Sequence, residues 1–381
     1  MGRKKILWLC SWYPGRAEPF NGDFVQRHAF AAAHYHDIHV IHVYADPSGK
    51  ILKREENFYN REGVTEHIIE FPKKNGFISR SLAHFRLLQS YHQAIRRYIK
   101  MNGLPDLVHV HVPIWAGKAA LWIKKNYGIP FVTTEHWAIY NDQVANNYFS
   151  KSKRFKYFTR KIFTGSSMFF PVCDYLAEGV NKLVAPVKYV TIENTVDTRY
   201  FKPGDFRGNS FQFIHISNME ERKNVPGIIR AFSRLASGRN DISLVIVGPA
   251  DEQLKQYARD HHSAIQFTGE ISYLKVADNL KMANALVLFS EVENSPCVIG
   301  EALCCGVPVI SSRVGGIPEL VDESNGLLVN AADEEALLNA MATMVDKKRQ
   351  FGQQDISVRA ASRFSYEIVG KKISVQYEAL V

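Results

Sequence analysis

Short apolar runs alternate with longer segments of helical periodicity along most of this 381-residue chain. Strands that alternate with helices form parallel sheets, with their loops gathered at the carboxyl ends of the strands, so the pattern predicts an α/β fold. A chain of this length exceeds what one hydrophobic core ordinarily covers, which favours two domains. The strand candidates are 6–10, 37–44, 65–71, 107–112, 130–134, 187–192, 211–217, 244–248, 265–268, 285–289 and 307–311, and the helix candidates include 24–34, 79–101 and 366–380.

The composition is that of a globular protein, with 46% hydrophobic and 12% aromatic residues. No apolar run approaches the roughly 18 residues that a membrane-spanning helix needs. The first residues combine basic side chains with a short apolar run and no small-residue cleavage site, which indicates a first strand rather than a signal peptide. The five cysteines form no C-x-x-C pair, and their odd number argues against a disulfide framework. These features favour a reducing cytoplasm.

The net charge of +9 is unevenly distributed. Residues 1–192 contain 27 Lys and Arg against 14 Asp and Glu, whereas residues 193–381 contain 20 against 24. This asymmetry predicts an acidic partner for the first half, and nucleic acid, an anionic membrane and a phosphorylated acceptor all qualify. Segment 151–163 contributes six basic residues and, as a helix, places Phe155 and Ile162 on one apolar stripe. Such a helix can lie on an anionic bilayer, but a stripe buried in the core beneath a solvated basic face explains the same pattern.

Two glutamates, Glu293 and Glu301, stand eight positions apart with Ser295 and Pro296 between them. Ser295 is a natural N-cap and Pro296 suits the first helical position, so a helix of about three turns is predicted, ended by Gly306 at its C′ position. The start of such a helix binds anions. A carboxylate one to two turns further on can accept hydrogen bonds from two adjacent hydroxyls. These features describe a nucleotide-sugar pocket, although a capped surface helix with solvated glutamates also fits the spacing.

Basic residues and histidines follow other predicted strands. Arg222 and Lys223 lie at a strand-to-helix turn, where cations and helix N–H groups can bind a diphosphate, but a solvated turn has the same composition. His136 follows a strand at the sheet edge where ligands bind in α/β folds. His109 and His111 share one strand face and could suggest a metal, but spacing places no third ligand, and hydrogen-bonded contact residues are the commoner case.

These patterns together resemble the retaining glycosyltransferases of family 4, which have the GT-B fold. The resemblance covers nearly the whole chain, and its most specific part is the E-x7-E spacing from Glu293 to Glu301. The start of the chain is similar to bacterial members that build surface polysaccharides. In one departure, Ser217 and Asn218 replace the Gly-Arg pair of the family, and Arg222 would supply the lost charge. The other matching segments are 12–14, 21–24, 194–197, 201–203, 268–271, 302–303, 305–309 and 314–319.

The resemblance implies two Rossmann-like domains that face each other across a cleft. Residues 1–196 would form an acceptor-binding domain and residues 197–363 a nucleotide-sugar-binding domain, with the break near 194–206, where Pro and Gly residues punctuate the chain. Residues 364–381 would form a C-terminal helix that crosses back to the first domain.

The resemblance also implies roles for individual residues. Lys223, with Arg222, would neutralise the donor diphosphate, and Glu301 would hold the ribose hydroxyls. Glu293 would contact the transferred sugar, and His136 would face that sugar from the first domain, so the candidate catalytic residues are Glu293, His136 and Lys223. The other candidate donor contacts are Asn218, Gly269, Ile271, Ser295, Pro296, Cys297 and Val298, and the candidates at the acceptor junction are Asn21, Gly22 and Asp23.

The implied reaction is the retaining transfer of a hexosyl group from a UDP- or GDP-linked donor to a polysaccharide or lipid-linked glycan. Neither a cofactor nor a metal is expected, because basic side chains and a helix start would neutralise the diphosphate. The expected partners are the nucleotide sugar, the glycan or lipid-linked acceptor and an anionic membrane at segment 151–163, but not nucleic acid. The expected location is the cytoplasm, at the inner face of the cytoplasmic membrane. The alternatives are a sugar-nucleotide epimerase, a phosphorolytic enzyme of the same fold, and a basic membrane-binding module.

Overall fold

The computed structural model describes residues 2–73, 77–141, 144, 146–204, 210–346 and 351–381, without the side chains of residues 77–81. The chain divides into two compact units, Met1–Thr195 with Tyr366–Val381, and Val196–Ser365. The strands are β1 (Lys5–Cys10), β2 (Asp37–Asp46), β3 (Glu55–Arg61), β4 (Val64–Pro72), β5 (Leu107–His111), β6 (Phe131–Glu135), β7 (Phe169–Pro171), β8 (Phe211–Ile216), β9 (Ile242–Val247), β10 (Ile265–Gly269), β11 (Ala285–Leu288), β12 (Val309–Ser312) and β13 (Gly326–Val329). The helices are α1 (Asp23–Ala33), α2 (Phe77–Asn102), α3 (Pro113–Tyr127), α4 (Lys153–Gly165), α5 (Asp174–Leu183), α6 (Val225–Ala236), α7 (Glu252–His261), α8 (Tyr273–Met282), α9 (Cys297–Cys304), α10 (Glu334–Asp346), α11 (Gln353–Phe364) and α12 (Tyr366–Glu378).

The first unit is built on a seven-stranded sheet in the order β3-β4-β2-β1-β5-β6-β7. All neighbouring strands are parallel except β3, which runs antiparallel to β4. If β3 is set aside, the remaining strands have the order 3-2-1-4-5-6 of a Rossmann sheet. The structure therefore confirms the predicted parallel α/β architecture for this half of the chain.

Helices cover both faces of this sheet. Successive side chains of a strand point to opposite faces, so Leu7 and Leu9 of β1 pack in the cluster that contains residues of α2 and α3, whereas Trp8 packs in the cluster that contains residues of α1 and α12. Burial on both faces explains why β1 is a continuous apolar run rather than an alternating one. The C-terminal helix α12 packs closely on α1, since a Cβ on Gly370 would lie 2.2 Å from the carbonyl oxygen of Ala31.

The second unit contains a six-stranded parallel sheet in the order β10-β9-β8-β11-β12-β13. Counted from β8, this is again the order 3-2-1-4-5-6. One face is covered mainly by α6 and α10, and the other mainly by α8, α9 and α11. The order reverses between β8 and β11, and in sheets of this kind ligands bind outside the carboxyl ends of the strands at that switch point.

Several local elements differ from the sequence prediction, among them strand β13, which is not one of the predicted strands. Segment 187–192 is not a strand: it lies along β7, where Val190 and Ile192 donate backbone hydrogen bonds to Phe169 and Pro171, and only Tyr189 forms an isolated bridge. Strand β3 has no apolar run because it is a largely exposed edge strand. Strand β7 has only three residues, too few to show a periodicity. Among the described helices, none is both long and apolar enough to cross a membrane.

Helix α9 begins later than predicted. Its N-cap is Pro296, with an extended backbone and no side-chain capping bond, and the helix has eight residues, or about two turns. The predicted N-cap role of Ser295 is therefore wrong, because Pro296 favours an extended residue before it and itself stays extended. The predicted end is confirmed: Gly306 has a φ of 72°, its N–H donates to Leu303, and Val307 donates to Ala302, as in a Schellman motif.

We predict that Gly306→Ala destabilises the second unit more than Gly238→Ala. Both glycines have a positive φ, of 72° and 75°, so each alanine costs about 1–2 kcal/mol in backbone strain. A Cβ at position 306 would also lie 2.4 Å from the carbonyl oxygen of Gln353, whereas no atom lies within 4 Å of a Cβ at position 238. Urea denaturation monitored by circular dichroism measures the difference, and equal losses in the two variants would contradict this packing argument.

Candidate functional site

A buried ion pair lies at the switch point of the second sheet. Lys223 follows β8 and Glu293 follows β11, and the Lys223 Nζ lies 2.5 Å from the Glu293 Oε1. The two side chains are only 12% and 7% exposed. The strand order explains the contact, because β8 and β11 are neighbours although some 70 residues separate the pair in sequence.

Arg222 is held between two loops beside this ion pair. Its Nε donates to Glu220 at 2.5 Å, its Nη1 donates to the Val292 carbonyl at 3.2 Å, and its own carbonyl accepts from Glu291. Its Nη1 also lies 4.0 Å from the Glu293 Oε2. Both predicted diphosphate-binding cations are therefore present at the site, and each is already paired with a carboxylate.

The carboxyl ends of β8, β9 and β10 meet at the same edge of the sheet. Gly248 donates a backbone hydrogen bond to Gly269, and a Cβ on Gly248 would lie 2.0 Å from the carbonyl oxygen of Ser217. Asn218 follows directly and donates from its Nδ2 to Glu220 at 2.6 Å. Two predicted donor contacts, Asn218 and Gly269, are thus brought to one edge by backbone packing that requires glycine at position 248.

A backbone hydrogen bond holds the loop before α9 in place. The Asn294 carbonyl accepts a hydrogen bond from the Gly316 N–H, which ties the loop to the segment after β12. Residues 295–298 are half-buried, and Glu301 on α9 is 5% exposed. Val298 packs against the same core cluster as Ile271, which follows β10. The predicted donor contacts of this half therefore lie in the loops and the helix start that follow β8, β10 and β11.

In the first unit, Gly22 marks a close backbone approach before α1. Its φ is 69°, and a Cβ would lie 2.6 Å from the carbonyl carbon of Trp12 and 2.7 Å from the Tyr13 nitrogen. Its neighbour Asp23 forms an ion pair of 2.6 Å with Arg27, and Asn21 donates its backbone N–H to Glu18. The loop after β1 can adopt this conformation only with glycine at position 22.

His136 lies in a cluster of rings at the carboxyl edge of the first sheet. Its ring centroid lies 4.6 Å from Phe24, 5.7 Å from His28 and 6.0 Å from His111. Burial, followed by the neighbouring imidazoles of His28 and His109, keeps the pKa of His136 well below its usual value. The ring is therefore neutral at physiological pH and can exchange hydrogen bonds but carries no positive charge.

Glu135 orients the backbone at His136 from within the core. Its Oε1 accepts hydrogen bonds from the backbone N–H groups of His136 and Trp137, at 2.8 and 3.0 Å. Burial raises the pKa of Glu135 to about 7, and the bonds from the two N–H groups and from Tyr140 only partly offset that effect.

The histidines of β5 are contact residues. His109 Nδ1 lies 2.5 Å from the Tyr377 hydroxyl, and its Nε2 lies 2.7 Å from Thr134. His111 stacks on Trp8, with ring centroids 4.2 Å apart. Within the described part of the chain, no group of three or more His, Cys, Asp or Glu residues has the arrangement of a metal site.

Two family models match the chain. Residues 27–200 match the model described as Glycosyltransferase Family 4, and residues 196–359 match the model described as Glycosyl transferases group 1. The chain belongs to the family 4 glycosyltransferases. The resemblance seen in the sequence is thereby confirmed.

Curated relatives of this glycosyltransferase include two enzymes from Bacillus. The N-acetyl-alpha-D-glucosaminyl L-malate synthase of Bacillus anthracis is 28% identical over 72% of this chain and 74% of its own length. The putative teichuronic acid biosynthesis glycosyltransferase TuaC of Bacillus subtilis is 26% identical over 88% of each chain.

Solved structures establish the GT-B fold of this glycosyltransferase. The sucrose-phosphate synthase of Thermosynechococcus elongatus has a TM-score of 0.78 at 18% identity and covers 99% of both chains. Anabaena HepE, solved in complex with UDP-glucose, has a TM-score of 0.72 at 18% identity and covers 99% of this chain and 100% of its own.

Sequence reasoning missed several residues that position this site. His28 lies on the buried face of α1, and a polar residue at a core-facing helical position is the signal that could have identified it. Glu135 precedes His136, but its hydrogen bonds back to the backbone follow from no sequence pattern. Gly248 ends an apolar strand, where a close backbone approach could have been expected.

We predict that Glu135→Gln changes how the stability of the glycosyltransferase depends on pH. In the unfolded chain Glu135 loses its proton near its ordinary pKa of 4.5, whereas the folded protein retains the proton up to about pH 7. The folded wild type therefore loses stability as the pH rises from about 4.5 to 7. A glutamine has no acidic proton, so the variant does not show this decrease. Between pH 5 and 8 the variant should gain about 2–3 kcal/mol in free energy of unfolding relative to the wild type.

Urea denaturation at a series of pH values measures this effect. Glu178→Gln, on an exposed position of α5 in the same unit, is the matched control and should follow the wild type. A Glu135→Gln variant with the same pH slope as the wild type would show that the carboxyl group ionises normally in the folded protein.

Proposed function

We propose that this glycosyltransferase transfers a hexosyl group, with retention of configuration, from a UDP- or GDP-linked donor to a polysaccharide or lipid-linked glycan. The observation that carries the proposal is the contact of Lys223 with Glu293 at the switch point of the second sheet. A cation that could bind phosphate and a carboxylate that could bind sugar hydroxyls lie side by side there. The family and the sequence spacing of Glu293 and Glu301 support the same role.

The ion pair leaves Lys223 able to bind a diphosphate. An ammonium group has three N–H donors, and Glu293 accepts one of them, so two remain for phosphate oxygens. Arg222 has five donors, of which Glu220 and Val292 accept two. The carboxylates thus fix the directions of both cations without using all of their hydrogen-bonding capacity.

The start of α9 would complete the phosphate site. Pro296 is the N-cap of α9, and the N–H groups of the first turn of a helix lie at its positive end, so those of Cys297 and Val298 would face a bound phosphate. Glu301 would then hold the ribose hydroxyls, while Asn218, Gly269 and Ile271 would line the nucleoside side of the pocket.

The chemical step would break the sugar–phosphate bond, so negative charge would develop on the departing diphosphate. In many enzymes the largest catalytic contribution comes from hydrogen-bond donors that already point at the position of such a charge. One such donor lowers the activation free energy by about 3 kcal/mol. In this proposal Lys223, Arg222 and the start of α9 supply those donors without a divalent metal. In this proposal neutral His136 offers a hydrogen bond to the transferred sugar, and Asn21, Gly22 and Asp23 contribute to the acceptor junction.

We further propose that α4 docks on the anionic inner face of the cytoplasmic membrane. Its buried side includes Ile162 and Phe163, so part of the apolar stripe belongs to the core. The helix carries no acidic residue, and Tyr157 is 53% exposed beside Lys161. Lys156 and Arg160 instead donate to the backbone carbonyls of Phe149 and Val184, which leaves Lys153, Arg154 and Lys161 as the exposed cations to test.

We predict that Lys223→Ala and Glu301→Ala each reduce sugar transfer by at least 100-fold. Screening UDP- and GDP-sugars by thermal shift first identifies the donor, because a specific ligand raises the melting temperature by mass action. Transfer of labelled sugar to a membrane lipid and glycan extract then measures activity. Lys275→Ala is the control, because this side chain on α8 is 69% exposed, and the variant should keep wild-type activity.

Each variant must also be shown to fold. Glu301→Gln, which retains the shape of the buried side chain, separates loss of the carboxylate from loss of packing. Near-normal turnover in folded Lys223→Ala and Glu301→Ala proteins would refute the proposed donor site.

We predict that reversing the exposed charges of α4 weakens binding to anionic vesicles. The variant is Lys153→Glu with Arg154→Glu and Lys161→Glu, and each removed contact should cost about 1 kcal/mol of membrane attraction. The control variant reverses three exposed lysines elsewhere in the same unit, Lys100, Lys125 and Lys188, for an equal change in net charge. Sedimentation with phosphatidylserine vesicles should detect loss of binding only in the first variant, and equal loss in both would exclude α4 as the docking element.

A further inference from the structure

Strand β3 is a long, regular strand at the open edge of the first sheet. Among the residues that the structure describes, it pairs only with β4. It has seven residues and no proline, and its register with β4 is unbroken from Glu55 to Arg61. The unpaired N–H and C=O groups of such an edge can bind another strand, and proteins usually shorten, bend or cover their edges to prevent this.

The other strands at the ends of the two sheets carry such protection. Strand β7 has three residues, with segment 187–192 lying along it, and β13 has four. Strand β10 has five residues, and its register with β9 shifts between Phe267 and Gly269. Of the end strands that the structure describes, β3 is therefore the one best suited to pair with a further strand.

The turn after β3 determines which backbone groups face outward. Glu62 and Gly63 form a two-residue loop with φ values of 47° and 77°, as in a type I′ turn. The residues that flank such a turn, here Arg61 and Val64, form a hydrogen-bonded pair. Hydrogen-bonded and non-hydrogen-bonded pairs alternate along an antiparallel ladder. The outward-facing backbone groups of β3 therefore belong to every second residue, Glu56, Phe58 and Asn60.

The side chains of β3 combine aromatic rings with charges of both signs. Phe58 is 46% exposed and stacks on His67, with ring centroids 4.1 Å apart. Tyr59 is 39% exposed, and the Arg61 guanidinium lies 4.3 Å from the centre of its ring. Segment 53–62 contains three basic and three acidic residues, although residues 1–192 contain 27 Lys and Arg against 14 Asp and Glu. At this edge, two copies of the chain thus meet without the repulsion that a basic surface causes.

We infer that β3 is a dimer interface, at which it pairs antiparallel with β3 of a second copy of the chain. Two identical antiparallel strands are related by a two-fold axis, and all seven residues of β3 find a partner only when Phe58 lies on that axis. In this register Glu55 lies opposite the second copy's Arg61, and Arg54 lies opposite its Glu62. Opposite charges directly across two strands stabilise the pairing, and like charges destabilise it.

The neighbouring registers bring like charges together. Outward-facing backbone groups of the two copies must meet, so the two-fold axis passes through a residue rather than between two residues. With the axis one residue earlier, Lys53 lies opposite Arg61, and with the axis one residue later, Glu56 lies opposite Glu62. The charge pattern is thus complementary to itself in one register, which favours a second copy of the chain over an unrelated extended peptide.

The charges inside each copy extend this complementarity. Arg16 Nη1 lies 2.7 Å from the Glu55 carboxylate, and Arg61 Nη1 lies 3.3 Å from that of Glu66. In the dimer, Glu55 of one copy and Arg61 of the other would therefore join these two pairs into a row of four charges of alternating sign. The two exposed Phe58 rings would lie side by side on the opposite face of the joined sheet.

Sedimentation velocity of the whole chain at a series of concentrations measures the association. We expect a reversible equilibrium between monomer and dimer. Asn60→Pro removes an outward-facing N–H and leaves the ladder with β4 intact, so it should raise the dissociation constant at least tenfold. Asn60→Ala is the matched control, because it loses the same side chain but retains the N–H, and it should dimerise like the wild type.

Cysteine cross-linking tests the register without relying on a proline variant. Phe58→Cys would place two thiols across the axis, with Cα atoms about 5.5 Å apart, a distance that a disulfide spans. Asn60→Cys would place them about 14 Å apart, too far for a disulfide. Four of the native cysteines are buried and Cys297 is half-buried, so the wild type serves as the background control. In a glutathione redox buffer we expect covalent dimers from Phe58→Cys alone.

Several results would overturn the inference. A wild-type protein that stays monomeric at every concentration would exclude the dimer, and equal association of folded Asn60→Pro and Asn60→Ala proteins would exclude β3 as its interface. A cross-link at position 60 in place of position 58 would contradict the pairing across Phe58. Neither experiment uses a donor or an acceptor, so both results are independent of the proposed function.

Discussion

The contact between Lys223 and Glu293 is the interaction on which the arrangement of the second unit depends. It joins the loop after β8 to the loop after β11, and both side chains are nearly buried. Removal of one partner from such a pair leaves a buried charge without compensation, which costs far more than the pair itself contributes. The pair therefore fixes where the loops must lie, and with them Arg222, Asn218 and the start of α9.

The first unit positions its polar groups in a different way. Its sheet has the same underlying strand order, but its carboxyl edge carries a group of neutral rings, in which His136 packs against Phe24, His28 and His111. Burial keeps these imidazoles neutral, since the pKa of His28 falls to about 4. Exposed cations of this half lie on α4, where Lys153, Arg154 and Lys161 are exposed. One strand order thus supports two different site chemistries.

Much of this arrangement could be predicted from the sequence, and the failures have physical reasons. Apolar runs identified most strands because both sheets are covered on two faces, and Pro296 and Gly306 indicated where α9 begins and ends. Exposed β3 and short β7 carry no such signal. Ser295 was expected to cap α9, but Pro296 keeps the backbone extended for one more residue. A cavity of about 500 Å³ in the first unit is lined by residues between positions 11 and 155, so no local sequence pattern could indicate it.

The pairing of Arg222 and Lys223, the proposed phosphate-binding cations, with carboxylates has a consequence for turnover in the proposed reaction. Arg222 and Lys223 contribute two positive charges, and Glu220 and Glu293 cancel them in the free protein. A diphosphate must share these cations with the carboxylates, so it binds less tightly than it would to two unpaired cations. Weaker binding of the diphosphate before the reaction does not slow catalysis if the hydrogen bonds from these cations strengthen as negative charge develops on the leaving group. It also speeds release of the nucleoside diphosphate product, a step that limits turnover in many enzymes. The carboxylates would therefore serve catalysis by keeping the cations oriented and only partly available.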